Sequence, residues 1–123
     1  SKPDTAIFMN DSEDDIKRKL KKAYCPEGEV NENPVMEYCK YIIFEKMGSL
    51  SIERPDRFGG NVEFKSYDDL ESAFVKKTLH PMDLKVAVAK SLNELLIPVR
   101  EKLAKSEVAS KLIEQIKNYE VTR

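Results

Sequence analysis

From Pro81 onward, Leu84, Val88, Leu92, Leu95, Leu96, Val99 and Leu103 recur at the three- and four-residue spacing that lines one face of an α-helix. Lys85, Lys90, Arg100 and Lys102 fall largely opposite. A helix cannot cover its own apolar stripe, so the rest of the chain must provide the facing surface. Pro98 interrupts the run. Losing one backbone hydrogen bond and clashing with the preceding turn costs ~3 kcal/mol, so a kink or restart is expected near Leu96.

The preceding segments read as further helices. Asp11, Glu13, Asp14 and Asp15 put acid where a helix begins, and Lys17, Arg18, Lys19, Lys21 and Lys22 put base where it ends, as the macrodipole favours. Ser12 with Asp15 approximates a capping box. Ile16, Leu20 and Ala23 or Tyr24 form its narrow apolar stripe, leaving the basic remainder to face outward. Tyr24-Cys25-Pro26-Glu27-Gly28 breaks this helix. Asn33-Pro34 pairs an N-cap with proline at the first helical position, opening a helix from Val35 to Phe44. That helix is apolar most of the way round and should be central, with Tyr38, Tyr41 and Phe44 in the core.

Gly48 ends it, and Leu50, Ile52 and Arg54 then alternate with polar residues, as do Val62 and Phe64. A small antiparallel β-hairpin connected through Pro55 to Asn61 is predicted. Ser66 with Asp69 opens another helix, carrying Leu70, Ala73 and Phe74 and ending near Leu79. Ser106 caps a last one with Ala109, Leu112, Ile113, Ile116 and Tyr119. The first ten residues read as an extended segment docked on the core. The expected fold is mainly α: a compact helical domain of about five helices with one small antiparallel β-hairpin.

Charged residues make up 35% of the 123, yet the formal net charge is −1, so any phosphate contact must be local rather than driven by a global field. One histidine and two separated cysteines cannot supply the usual ligands of structural zinc, and no metal site is expected. No apolar run is long enough to cross a bilayer, and the unpaired cysteines fit a reducing, cytoplasmic compartment. His80 has neither a nucleophile nor an orienting carboxylate indicated beside it, so catalysis within these residues is not expected.

Two segments carry the sharper chemistry. In Arg57-Phe58-Gly59-Gly60 the paired glycines free the backbone, so the preceding ring can stand out on a loop and stack on a base. In Leu79-His80-Pro81-Met82-Asp83-Leu84-Lys85, Asp83 offers acceptor oxygens that suit the ring N–H and amino group of guanine. An unpaired base is the expected ligand. The basic run from Lys17 to Lys22, close to Cys25-Pro26, is a candidate for backbone phosphate contacts.

Read together, Ser1-Lys2-Pro3-Asp4-Thr5-Ala6-Ile7-Phe8, Lys22-Ala23-Tyr24-Cys25-Pro26, Asn33-Pro34 and the two segments above resemble the carboxyl-terminal part of archaeal and eukaryotic tyrosyl-tRNA synthetases. The resemblance covers nearly the whole chain. It implies that Ser1 and Lys2 are the edge of the signature loop that clamps ATP. Residues 1–10 are then the end of that loop with a linker, and 11–123 an anticodon-binding domain. It also implies that Phe58 stacks on the first anticodon base, that Asp83 reads its guanine edge, and that Cys25, Pro26, His80, Pro81 and Met82 line the same pocket. Where archaeal members usually carry aspartate after the double glycine, this chain has Asn61.

No catalytic residue is expected in this span, since the Rossmann-type half with its tyrosine pocket would lie upstream and a His-x-Gly-His motif cannot be present with one histidine. The implied partners are tRNA(Tyr), with ATP (and Mg) and tyrosine handled by that upstream half, through which a homodimer would form. No cofactor is expected on these residues and no membrane contact. A small helical protein-interaction domain is the alternative reading.

Overall fold

The computed structural model describes residues 6–9, 11–105, 111–112 and 114–118. Ser1, Lys2, Ser106, Ala109, Ile113 and Tyr119 lie outside them. Five α-helical elements and one two-stranded antiparallel sheet make up the described chain.

Helix α1 (Glu13–Lys22) starts on a complete capping box, with the Ser12 hydroxyl accepting the Asp15 N–H at 3.1 Å and the Asp15 carboxylate accepting the Ser12 N–H at 3.1 Å. Ile16 and Leu20 are buried as expected, but so is Lys19, which does not face outward with the rest of the basic run. Three residues after Ile16, Lys19 falls on the edge of the buried stripe, and its ammonium is satisfied there. It lies 2.7 Å from an Asp11 carboxylate oxygen, 2.8 Å from the Ala6 carbonyl and 4.6 Å from the centre of the Phe8 ring. The Phe8 N–H donates to the same Asp11 oxygen at 3.0 Å, so residues 6–9 are tied to α1.

Asn33 caps α2 (Pro34–Tyr38) by accepting the N–H groups of Val35 and Met36. The helix continues through a π-turn (Cys39–Ile43) into α3 (Phe44–Met47) and stops at Gly48, whose φ of +77° is left-handed. Val35, Met36, Cys39 and Ile43 are buried, while Tyr38 and Phe44 are half-buried against the core. Tyr41 is not a core residue: it is 65% exposed, because the neighbouring elements cover one face of this helix and Tyr41 projects from another. Phe44 meets Tyr67 edge-on at 6.3 Å.

Strands β1 (Leu50–Ile52) and β2 (Val62–Phe64) pair antiparallel, Leu50 opposite Phe64 and Ile52 opposite Val62. Ser66 caps α4 (Tyr67–Val75), which buries Leu70 and Phe74. It ends before Leu79 because Lys77 takes a left-handed φ of +63°. Thr78 N–H bonds to the Ala73 carbonyl at 3.1 Å and Lys77 N–H to the Phe74 carbonyl at 3.0 Å, the pattern of a Schellman cap.

Helix α5 (Pro81–Lys105) packs along α1 and across β1, burying Leu84, Val88 and Leu92. No restart occurs near Leu96: the helix runs through Pro98. Glu94, whose carbonyl loses its helical partner to the proline, is exposed and Pro98 with it, and the Arg100 guanidinium donates to the Asn93 side-chain oxygen across the proline. Burial fades along the stripe. Leu95 and Leu96 are half-buried, Leu96 at the margin of the core, and Leu103 is exposed. Residues 111–112 and 114–118 are helical.

Candidate functional site

The β1–β2 connection turns tightly. Residues Asp56–Phe58 form a single 3-10 turn in which the Pro55 carbonyl accepts the N–H groups of Phe58 at 2.9 Å and Gly60 at 3.0 Å. Gly59 and Gly60 have φ of +109° and +72°, both outside what an ordinary side chain adopts readily. Freedom of the backbone is only half of what they provide. A Cβ on Gly59 would lie 2.6 Å from the Arg54 guanidinium, so the glycine also makes room for that side chain. Phe58 stands at the end of the turn, 56% exposed, with the Arg57 guanidinium 4.9 Å from its ring centre. The guanidinium thereby lies over one face of a ring that is otherwise largely exposed.

Arg54 joins this loop to the turn between α4 and α5. Its Nε donates to the Gly60 carbonyl at 2.7 Å and a terminal nitrogen donates to the Thr78 carbonyl at 3.0 Å. Its own backbone N–H donates to the Asn61 side-chain oxygen at 3.0 Å. Asn61 thus keeps the acceptor that an aspartate would offer at this position, without its charge.

On the other wall, His80 caps α5. Its Nδ1 accepts the Met82 N–H at 3.0 Å and its carbonyl accepts the Leu84 N–H at 3.1 Å. An accepting Nδ1 puts the ring proton on Nε2, which is left as a donor. Pro81 sets the first helical φ, and Asp83 stands in the first turn, half-buried.

These pieces meet in one cleft of ≈ 410 Å³ lined by Glu27, Arg54, Phe58, Lys77, Thr78, His80 and Asp83. Three of the residues singled out in the sequence, Phe58, His80 and Asp83, are therefore neighbours in space. Cys25 and Pro26 do not line it. Cys25 is half-buried, its sulfur accepting from the Asn33 amide at 3.5 Å, and burial pushes its thiol up. The Pro26 carbonyl accepts the Glu29 N–H at 3.2 Å, so this pair holds the turn that brings Glu27 to the rim. Met82 points elsewhere, into an apolar groove between α1 and α5 with Leu20, Val86 and Ala89. Of the basic run, Lys19 is consumed in the core and Lys17 pairs with Glu13 at 3.2 Å.

Arg54, Lys77, Thr78 and Glu27 were missed by sequence reasoning. Arg54 reads as the outer end of a strand, and the Thr78 group in use is a carbonyl, which every residue carries. Chemically, the cleft offers an exposed aromatic ring, two carboxylates, an imidazole donor and two cations. Among the described residues no group of three potential metal ligands occurs, and no helix is long and apolar enough to cross a membrane.

A family model described as tRNA synthetases class I (W and Y) matches residues 1–97. A curated relative named tyrosine–tRNA ligase from Sulfolobus acidocaldarius is 48% identical over 117 residues, covering 94% of this chain and 32% of the relative. The one from Saccharolobus solfataricus is 46% identical over 116 residues, with the same coverage of each. The chain spans about a third of the length of the curated relatives it matches. Among solved structures, tyrosyl-tRNA synthetase from Pyrococcus horikoshii, complexed with L-tyrosine, superposes with a TM-score of 0.83 at 40% identity, covering 94% of this chain and 31% of that one. That from Aeropyrum pernix superposes at 0.81 with 43% identity, covering 96% and 34%.

Proposed function

Since the chain belongs to the tRNA synthetases class I (W and Y), we propose that it is the anticodon-reading part of a tyrosine–tRNA ligase. In this reading the complete protein is cytoplasmic, activates tyrosine with ATP and Mg in a catalytic half outside residues 1–123, and charges tRNA(Tyr). That half also forms the homodimer. Residues 1–10, with Ser1 and Lys2 at the edge of the ATP loop, lead into the anticodon-binding residues 11–123.

The observation that carries the reading is the meeting of Phe58 and Asp83 in one cleft although they come from separate turns. A purine laid on the exposed ring of Phe58 presents its polar edge to the surrounding side chains. The Asp83 carboxylate has two acceptor oxygens, which match the N1–H and the amino group of guanine and mismatch the acceptor N1 of adenine. His80 Nε2–H and the cations can engage acceptors on the same nucleotide. Cys25, Pro26, Pro81 and Met82 act at one remove, shaping the turns that hold Glu27 and Asp83. The site binds and discriminates, and the described cleft contains no nucleophile with a base beside it.

Phe58→Ala and Asp83→Ala in the complete ligase test this. Loss of the stacking ring costs ~1–3 kcal/mol, or roughly 5- to 150-fold in kcat/KM for tRNA, with little dependence on the base. Asp83→Ala should lose a similar ~1–3 kcal/mol of discrimination and relax the preference for guanine at the first anticodon position. Tyrosine-dependent pyrophosphate exchange should not change in either. Folded variants that charge normal and anticodon-altered tRNA as the parent does would refute the base-reading role.

A further inference from the structure

Lys77 is an unusual residue to find where it is. It occupies the left-handed position of the Schellman cap after α4, φ +63°, where glycine is the common choice. Its aliphatic stem lies on Gly28, at which a Cβ would come within 3.0 Å of Lys77 Cε and 3.2 Å of Cγ. Gly28 is itself left-handed, with φ +75°. Two backbone positions are thus arranged so that this stem lies across the turn and the residue lines the cleft beside Phe58 and Asp83. A strained position carrying a charged side chain into a cleft points to a ligand for that charge.

The cleft's other cation is engaged by its own walls, and His80 offers only a neutral donor, Nε2–H. Two nitrogens of Arg54 hold the carbonyls of Gly60 and Thr78, and His80 Nδ1 is an acceptor of the Met82 N–H. Among the described residues no hydrogen bond or ion pair holds the Lys77 ammonium. Glu27 shares the rim as an exposed carboxylate, so an anion seated here must lie on the Lys77 side of it.

We propose that Lys77 binds the phosphodiester group of the ribonucleotide whose base stacks on Phe58, an inference that rests on the base-reading role above. A base cannot enter the cleft without its own phosphate beside it. With Arg54 holding the Gly60 and Thr78 carbonyls, Lys77 is the cation of the cleft that no described residue engages. A compact ammonium suits a phosphate contact because it positions the backbone without reading sequence. With a net charge of −1 the chain has no broad positive field, so a single phosphate contact forms a visible share of the salt dependence.

The test is the salt dependence of binding between the 123-residue chain and a synthetic RNA stem-loop bearing guanosine at the first anticodon position. Lys77→Met should flatten the slope of log affinity against log salt by ~0.7, which is a roughly threefold smaller loss of affinity over a fourfold rise in salt. An adenosine stem-loop should show the same change of slope, because the contact carries no base information. Lys77→Arg should keep the parental slope. Lys77→Gly should lose it while raising Tm, since it relieves the left-handed strain, and this separates lost binding from lost folding. Phe58→Ala serves as the control for the underlying reading. If Phe58→Ala weakens RNA binding but Lys77→Met and Lys77→Gly keep the parental slope, the phosphate contact is refuted and base reading stands. If Phe58→Ala has no effect, base reading itself fails.

Discussion

Replacing Arg54 by alanine removes a side chain that bonds the Phe58 loop to the turn before α5. Two hydrogen bonds vanish, Nε to the Gly60 carbonyl at 2.7 Å and the terminal nitrogen to the Thr78 carbonyl at 3.0 Å. Bonds from a charged donor contribute ~1.5–3 kcal/mol each when buried. The Gly60 bond is partly buried and the Thr78 bond exposed, so solvent screening brings the pair to about 2–3 kcal/mol. With an unfolding entropy of ~2.1 cal/mol/K per residue, a domain of this size loses about 4 °C of Tm per kcal/mol, hence roughly 8–12 °C. Arg54→Lys keeps the charge but lacks the planar fork, cannot reach both carbonyls at once, and should recover less than half of the loss. Thermal unfolding followed by far-UV circular dichroism measures both variants. A functional cycle adds an independent check: if Arg54 acts by holding the Phe58 loop, the cost of Phe58→Ala for RNA binding should shrink in the Arg54→Ala background. A Tm within about two degrees of the parent, together with additive effects on RNA binding, would refute the tie between the two walls of the cleft.

The buried pair of Lys19 and Asp11 gives a sharper stability effect, because Lys19→Met leaves an uncompensated carboxylate in the core. A loss of ~3–5 kcal/mol is expected, with much of it regained in Lys19→Met/Asp11→Leu, measured by urea unfolding. Ser12→Ala should lower Tm by a few degrees by removing the α1 cap. The Ser12 backbone N–H, then its hydroxyl, hold the Asp15 carboxyl below its ordinary 3.8, so Asp15 stabilises the fold above that pH and the contribution is lost as pH falls through its lowered value. The gap between parent and Asp15→Asn should therefore close on acidification, and a gap that widens would contradict the assignment. Burial raises both thiols, Cys39 more than Cys25. Alkylation of the folded chain near neutral pH should be slow at Cys25 and slower at Cys39, and rapid only after unfolding, as mass spectrometry can follow.

Local pattern was enough for the elements themselves. Ser12, Asn33 and Ser66 each cap the helix they precede, Gly48 stops one, and the alternation of Leu50, Ile52, Val62 and Phe64 pairs as a hairpin. These signals work because a cap, a left-handed stop and a pleat involve partners within a few residues. The exposed ring of Phe58 was legible for the same reason, since the glycines that free its loop adjoin it. The restart expected at Pro98 and the core place expected for Tyr41 failed because local preference does not say which side of a helix has a neighbour. Pro98 lies on an exposed stretch that the helix runs through, and an apolar residue stays outside when nothing packs over it.

Only the tertiary structure decided that Lys19 turns inward, since its partners Ala6, Phe8 and Asp11 lie on a different segment. Only it decided the cleft. Arg54 reaches a backbone carbonyl 24 residues away, and Lys77 rests its stem on a glycine in the turn after α1. Every residue carries a carbonyl and many lack a side chain worth noticing, so neither contact leaves a mark in the order of amino acids. The sequence by itself determined which short segments offer a ring and a carboxylate suited to a base. The packing of α4 against the hairpin, and the turn that launches α5, determined that these segments meet in one place.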